Sequence, residues 1–140
     1  MLSRGKAKLE RSRQPRIPAS RDEGFLLIEK YVQAIRSGDA GRLEALLSAD
    51  IAFYADGGPG IQLVMRHCEG AERVAGLLQY VFKTFQSKYV ERHAVINHQP
   101  ALLYYLDGEL KVCQVLEIVD GRVAQILTVL DPEKLKMVIK

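Results

Sequence analysis

The residues of this chain that could do chemistry gather around one break in the sequence. Asp50-Ile51-Ala52-Phe53-Tyr54-Ala55-Asp56 alternates as a short strand and runs into Gly57-Gly58-Pro59-Gly60. Four residues unsuited to regular structure after an apolar strand place the Asp56 carboxylate at the rim of a core rather than on an ordinary outer face. In an apolar pocket such a carboxylate has its pKa raised. As a turn residue it accepts backbone hydrogen bonds from Gly57 or Gly58 instead. His67 and His93 fall on expected strands, where each either faces a cavity or is an ordinary surface or core histidine. Glu117 shares a strand face with Cys113, Val115 and Val119, so it is either paired or lines a polar pocket. Cys68 and Cys113 are the only cysteines. Each falls within an expected strand, which argues for two buried thiols rather than a disulfide framework. Three scattered histidines without ligand spacing make no metal site, and no cofactor is expected.

These residues need a scaffold, and 140 residues with 48% hydrophobic and 26% charged side chains are enough for one domain with a real core. No apolar run approaches the roughly 20 residues of a membrane span. The N-terminus is basic and lacks the apolar centre of a signal peptide, so the expected location is the cytoplasm. The net charge of +3 is unevenly spread. Residues 1–21 hold seven bases against one acid, Glu10, whereas the remainder carries 13 bases and 16 acids. The basic character therefore belongs to an N-terminal arm, and the body is mildly acidic.

Residues 1–23, with Pro15 and Pro18 and few apolar side chains, cannot form a core of their own and read as an arm or linker. The arm is either a phosphate-neutralising contact for nucleic acid or polymerase, or a solvated tail. Residues 24–140 form the expected domain. Phe25, Ile28, Val32 and Ile35 give a first helix closed by Ser37-Gly38, and Asp39 caps a second with Leu43, Leu46 and Leu47. A strand is expected over Ile61–Cys68. Gly70–Phe85 is the strongest helical stretch, with Val74, Leu77, Leu78, Val81, Phe82 and Phe85 on one core-facing side. Four strands follow: Lys88–Asn97, then Ala101–Leu106 beyond Pro100, then Leu110–Val119 and Arg122–Leu130 around the Asp107-Gly108 and Asp120-Gly121 turns. These strands are apolar on both faces, which calls for helices on one side and a cavity, a dimer partner or another domain on the other.

Helix, helix, strand, strand, long helix and a four-stranded meander resembles the cone-shaped α+β fold of the nuclear-transport-factor-2-like superfamily, which includes SnoaL-like domains and ketosteroid isomerase. The resemblance covers residues 24–130 and implies a curved mixed sheet wrapped around the long helix, with a pocket at the open end. A narrower resemblance rests on Arg36-Ser37-Gly38-Asp39, Leu46-Leu47-Ser48-Ala49-Asp50, Tyr54-Ala55-Asp56-Gly57-Gly58 and Asp131-Pro132-Glu133-Lys134-Leu135. Together these are similar to the SnoaL-like extension at the C-terminus of one group of extracytoplasmic-function sigma factors. Pro59-Gly60 stands where that group usually has Gly-Lys, and Asp131 and Glu133 replace its Asn and Asp. Leu2-Ser3-Arg4-Gly5-Lys6-Ala7-Lys8-Leu9 is similar to the end of the DNA-reading region of such factors.

That resemblance implies a non-enzymatic regulatory domain that modulates transcription initiation by contact with RNA polymerase or sigma-factor regions. A small apolar ligand in the cone, a homodimer, and DNA contact only through the arm complete the expectation. The contact or ligand residues would be Tyr54, Asp56, Gly57, Gly58, His67, Glu117, Asp131 and Lys134. The resemblance to ketosteroid isomerase implies an alternative, a small-molecule isomerase or hydrolase with Asp56 as general base and Tyr31 as oxyanion donor. Val115 stands where that enzyme supplies a second, protonated acid. Tyr31 is otherwise a core aromatic whose hydroxyl bonds to a strand.

Overall fold

A computed structural model of the protein describes residues 21–60, 63 and 65–138. The expectations for residues 1–20 of the arm lie outside the described residues, as do Ile61, Gln62 and Val64 of the expected second strand.

Helix α1 (Arg21–Ser37) buries Ile28, Tyr31, Ala34 and Ile35, whose three- and four-residue spacing makes one apolar stripe. It ends where Gly38 turns left-handed at φ 77°. There Asp39 N–H donates to the Ala34 carbonyl and Gly38 N–H to that of Ile35, both at 3.2 Å, the paired bonds of a Schellman stop. Asp39 then caps α2 (Ala40–Ala45), its carboxylate accepting from Arg42 N–H at 3.0 Å.

Six strands form one curved sheet in the order β2-β1-β6-β5-β4-β3. They are β1 (Leu47–Asp56), β2 (His67–Glu69), β3 (Val90–Ile96), β4 (Gln99–Leu106), β5 (Glu109–Val119) and β6 (Arg122–Val129). β1 runs parallel to β6 and every other pairing is antiparallel. Register shifts within the β1/β6, β4/β5 and β5/β6 pairs are the irregularities that bend such a sheet. Phe53, Ile126 and Leu116 stand opposite one another on the inner face, packed with α1 and the long helix. Tyr54, Leu127 and Val115 stand side by side on the outer face. Arg36 ties the end of α1 to this sheet, pairing with Glu91 and lying 4.9 Å over the Phe82 ring.

The two Asp-Gly turns are as expected: Asp107 and Gly108 have φ 54° and 80°, Asp120 and Gly121 53° and 76°, which matches the type I′ hairpin. The preceding hairpin differs from the sequence reading. It turns at Asn97 and His98, with φ 53° and 66°, and Pro100 lies inside β4 opposite Val95. A proline is tolerated there because pairing with β5 begins only at Ala101, so its missing N–H removes no interior bond. The expected second strand shrinks to His67–Glu69, with Leu63 and Met65 outside regular structure.

The long helix carries the most consequential correction. α3 (Ala71–Val81) buries Val74, Leu77 and Leu78 as expected, but the chain then winds as a π turn over Phe82–Gln86. A π turn closes i to i+5 and holds one more residue than an α turn, so the inward position slips by one. Phe85, expected in the core, is 54% exposed, and Gln86 is 5% exposed in its place.

The chain also forms a helix, α4 (Pro132–Val138), that the periodicity did not signal. Asp131 caps it, accepting from Glu133 N–H at 3.1 Å, and Pro132 occupies the first helical position, where its missing N–H costs nothing. Leu135 packs against Leu110 and Cys113. No helix among the described residues is long and apolar enough to cross a membrane.

Candidate functional site

Two polar clusters lie at the open end of the sheet. The first joins the end of β1 to the start of α4. The Asp56 carbonyl accepts Leu130 N–H at 2.8 Å and Asp131 N–H at 3.2 Å. Its carboxylate accepts Gly58 N–H at 3.2 Å through one oxygen and the Lys134 ammonium through the other. Gly58 has φ 70°, and a β-carbon built on it would sit 2.5 Å from the Asp131 carboxyl carbon. Only glycine fits that turn with Asp131 so close. Residues 56–58 and 131–134, 75 positions apart in the chain, therefore make one clasp.

The electrostatics of the clasp are those of an exposed ion pair. The hydrogen bond from Lys134, helped by Gly58 N–H, holds Asp56 below its ordinary pKa, and Asp56 in turn raises Lys134. Asp56 is ionised at neutral pH and pinned, the reverse of the raised carboxylate that a general base requires. Beside it on the outer face, Tyr54 stacks on His67 with ring centroids 4.8 Å apart and 17° between planes. His67 Nε2 lies 3.2 Å from a Glu69 oxygen. Of the residues singled out in the sequence, Tyr54, Asp56, Gly57, Gly58, His67, Asp131 and Lys134 are thus neighbours at this rim. Glu117 is not; it sits along β5 opposite Gln125. His93 packs its ring against Phe25 of α1, 5.7 Å between centroids.

The second cluster lies inside. A cavity of about 480 Å³ opens between the sheet, α3 and α4, walled by Phe53, Ala55, Leu77, Val81, Leu130 and Leu135. Strand alternation decides what faces it: Phe53 and Ala55 point in, so Tyr54 and Asp56 do not. Lys111, Glu109 and Lys136 also border the cavity, and two neutral polar side chains, Gln86 and Thr128, complete its wall. Both are almost fully buried, at 5% and 4% exposure.

Thr128 is the end of a buried column. The Tyr31 hydroxyl donates to Gln114 Oε1 at 3.0 Å, and Gln114 Nε2 donates to Thr128 Oγ1 at 3.2 Å. Burial first, then the neighbouring Tyr104, pushes the Tyr31 pKa well above its ordinary value, so it remains a protonated phenol. Tyr31 is therefore a core aromatic bonded to β5, and its hydroxyl is spent on Gln114. The structure does not bring Tyr31 and Asp56 to one cavity: neither lines it, and each is held by a different partner. Cys113 is buried with its thiol pushed up to about 11, and Cys68 is also a buried free thiol.

Gln86 and Thr128 were missed in the sequence. The available signal was polar residues at inward positions of otherwise apolar strands: Gln114 and Thr128 stand opposite each other in the β5/β6 pair. Gln86 gave none, because its direction depends on the π turn.

No protein-family model matches the sequence, and no curated protein matches it. Solved structures do. The extracytoplasmic function sigma factor SigJ of Mycobacterium tuberculosis is similar with a TM-score of 0.62 at 17% identity, over 81% of this chain and 44% of that one. An NTF2-like protein of unknown function from Cytophaga hutchinsonii is similar with a TM-score of 0.56 at 17% identity, over 88% of this chain and 99% of that one. A SnoaL-like protein of unknown function from Burkholderia thailandensis gives 0.58 at 14%, over 79% and 97%. The fold is the NTF2-like, SnoaL-like α+β fold.

Proposed function

We propose that this chain is a SnoaL-like regulatory domain of the kind carried by extracytoplasmic-function sigma factors, acting on transcription initiation by contact rather than by catalysis. The observation that carries this reading is the clasp. The two runs on which the sigma-factor resemblance rests, at Asp56-Gly57-Gly58 and at Asp131-Pro132-Glu133-Lys134, fold into one exposed rim through the Asp56–Lys134 pair. The similarity to SigJ supports it at the level of fold. The partner is RNA polymerase or the sigma-factor regions, met by the rim and by the basic arm. The cone accommodates a small apolar ligand, and exposed Tyr54 and Leu127 on the outer sheet face suit a homodimer. The isomerase alternative is not carried forward, because Asp56 and Tyr31 serve different partners.

The test is a titration of the full chain, and of the chain lacking residues 1–20, against core polymerase and against the sigma regions. Saturable binding that Lys134→Glu weakens at least tenfold is the expected result. No binding by either form overturns the proposal.

A further inference from the structure

We infer that the inner end of the cavity is a recognition site for an uncharged, mainly aliphatic or ring-bearing molecule with a single oxygen acceptor, held by Gln86 and Thr128. The inference rests on the ligand-binding part of the function proposed above and is independent of any polymerase contact.

Gln86 is the central observation. The residue is about nineteen-twentieths buried and lines the cavity, and since no buried side-chain nitrogen or oxygen among the described residues lacks a partner, its amide, bonded to none of them, opens onto the hollow. Buried amides are nearly always bonded, so an open one facing a hollow marks a place where something else binds. Thr128 faces the same hollow with a half-used hydroxyl. Its oxygen already accepts from Gln114 Nε2, whose own oxygen is occupied by Tyr31, so the Thr128 hydrogen is left to donate. The column from Tyr31 thus fixes the sense of the last bond. Gln86, Gln114 and Thr128 also border a second hollow of about 20 Å³, behind the first. That is room for one water, which needs two to four polar partners and finds three side chains there.

The chemistry of the ligand follows. An N–H from Gln86 and an O–H from Thr128 converge on an acceptor such as a ketone or ester carbonyl. The walls around them are hydrocarbon, and the cavity volume suits a molecule of about ten to twenty heavy atoms. Neither inner group carries a charge. A carboxylate brought against these two groups would exchange its water for neutral donors alone, and the cations that border the cavity, Lys111 and Lys136, are not among them, so an ionised group is disfavoured at Gln86 and Thr128.

Isothermal titration of the full chain with a medium-chain methyl ketone, the alkane of equal length and the matching carboxylate tests this. The expected order is ketone tightest, then alkane, with the carboxylate weakest. Gln86→Met, which keeps the length of the side chain and removes its polarity, should weaken the ketone by about tenfold and leave the alkane unchanged. Thr128→Val should weaken the ketone by about fivefold, and Thr128→Ser should restore it. Unfolding midpoints of the three variants separate lost recognition from lost fold. Equal ketone affinity in wild type and folded Gln86→Met overturns the inference, as does a preference for the carboxylate or binding of none of the three probes. The polymerase titration is read separately, so each proposal can fail alone.

Discussion

The rim clasp and the inner end of the cavity are two polar clusters assembled by opposite rules. The clasp joins a charge pair exposed to water, Asp56 and Lys134, to the buried Asp131 cap, and it satisfies itself: Asp56, Lys134, Gly58 N–H and the Asp131 cap are all engaged. The inner end is made of neutral groups turned to the cavity: the Gln86 amide opens onto it and Thr128 has a hydrogen to give. Exposed charges can pair at little cost or gain, whereas an amide turned to an apolar hollow gains from an acceptor placed there. A self-satisfied surface feature suits a shaped contact, and one turned to a hollow suits a guest.

Breaking the clasp at its tightest point should have the largest effect. Gly58→Val puts a branched side chain at φ 70° against Asp131, and should cost about 3 kcal/mol in chemical denaturation. The buried column should come next. Tyr31→Phe leaves Gln114 Oε1 without its donor at a site only 3% exposed, which should cost about 2 kcal/mol by the same measurement. The smallest effect should come from the clasp's charge alone. Asp56→Asn should lower the denaturation midpoint slightly in dilute buffer and not at all in molar salt, where exposed pairs are screened.

The pH dependence of that last contrast has a fixed sign. Asp56 is held below 3.8, so its contribution is complete above that value and is lost as pH falls through the lower folded pKa. Lys134 is held above 10.5, so its contribution is complete below that value and is lost as pH rises through the higher folded pKa. The difference between wild type and Asp56→Asn should therefore be flat across neutral pH and vanish at strong acid. A difference that changes between pH 5 and 8 would assign it to another group.

How much of this could be read from the residues depends on which force holds each part. Strand alternation, the Asp-Gly turns and the Asp39 cap are local, and each was legible because the residue type itself sets the backbone angle or the bond. The clasp was half legible. Both of its runs stood out, but nothing local says that Lys134 reaches Asp56 across 78 positions. α4 was hidden because seven residues with one buried leucine show no periodicity. The inner end was illegible, since regular helical spacing carries Phe85 inward and only the π turn reverses that. The placement of Asp56 likewise turned on alternation being held through the strand end, which faces Ala55 to the cavity and Asp56 away from it.

The π turn has a consequence for length rather than for composition. Since it accommodates one residue beyond the α count, loss of a single codon anywhere between 82 and 85 would let the helix run on regularly. Gln86, moved up by one position, would then fill the inward place that a regular count gives to residue 85, and the amide would keep its side of the hollow. The π turn is in this way what lets a helix one residue longer than a regular count allows still present an amide to the hollow.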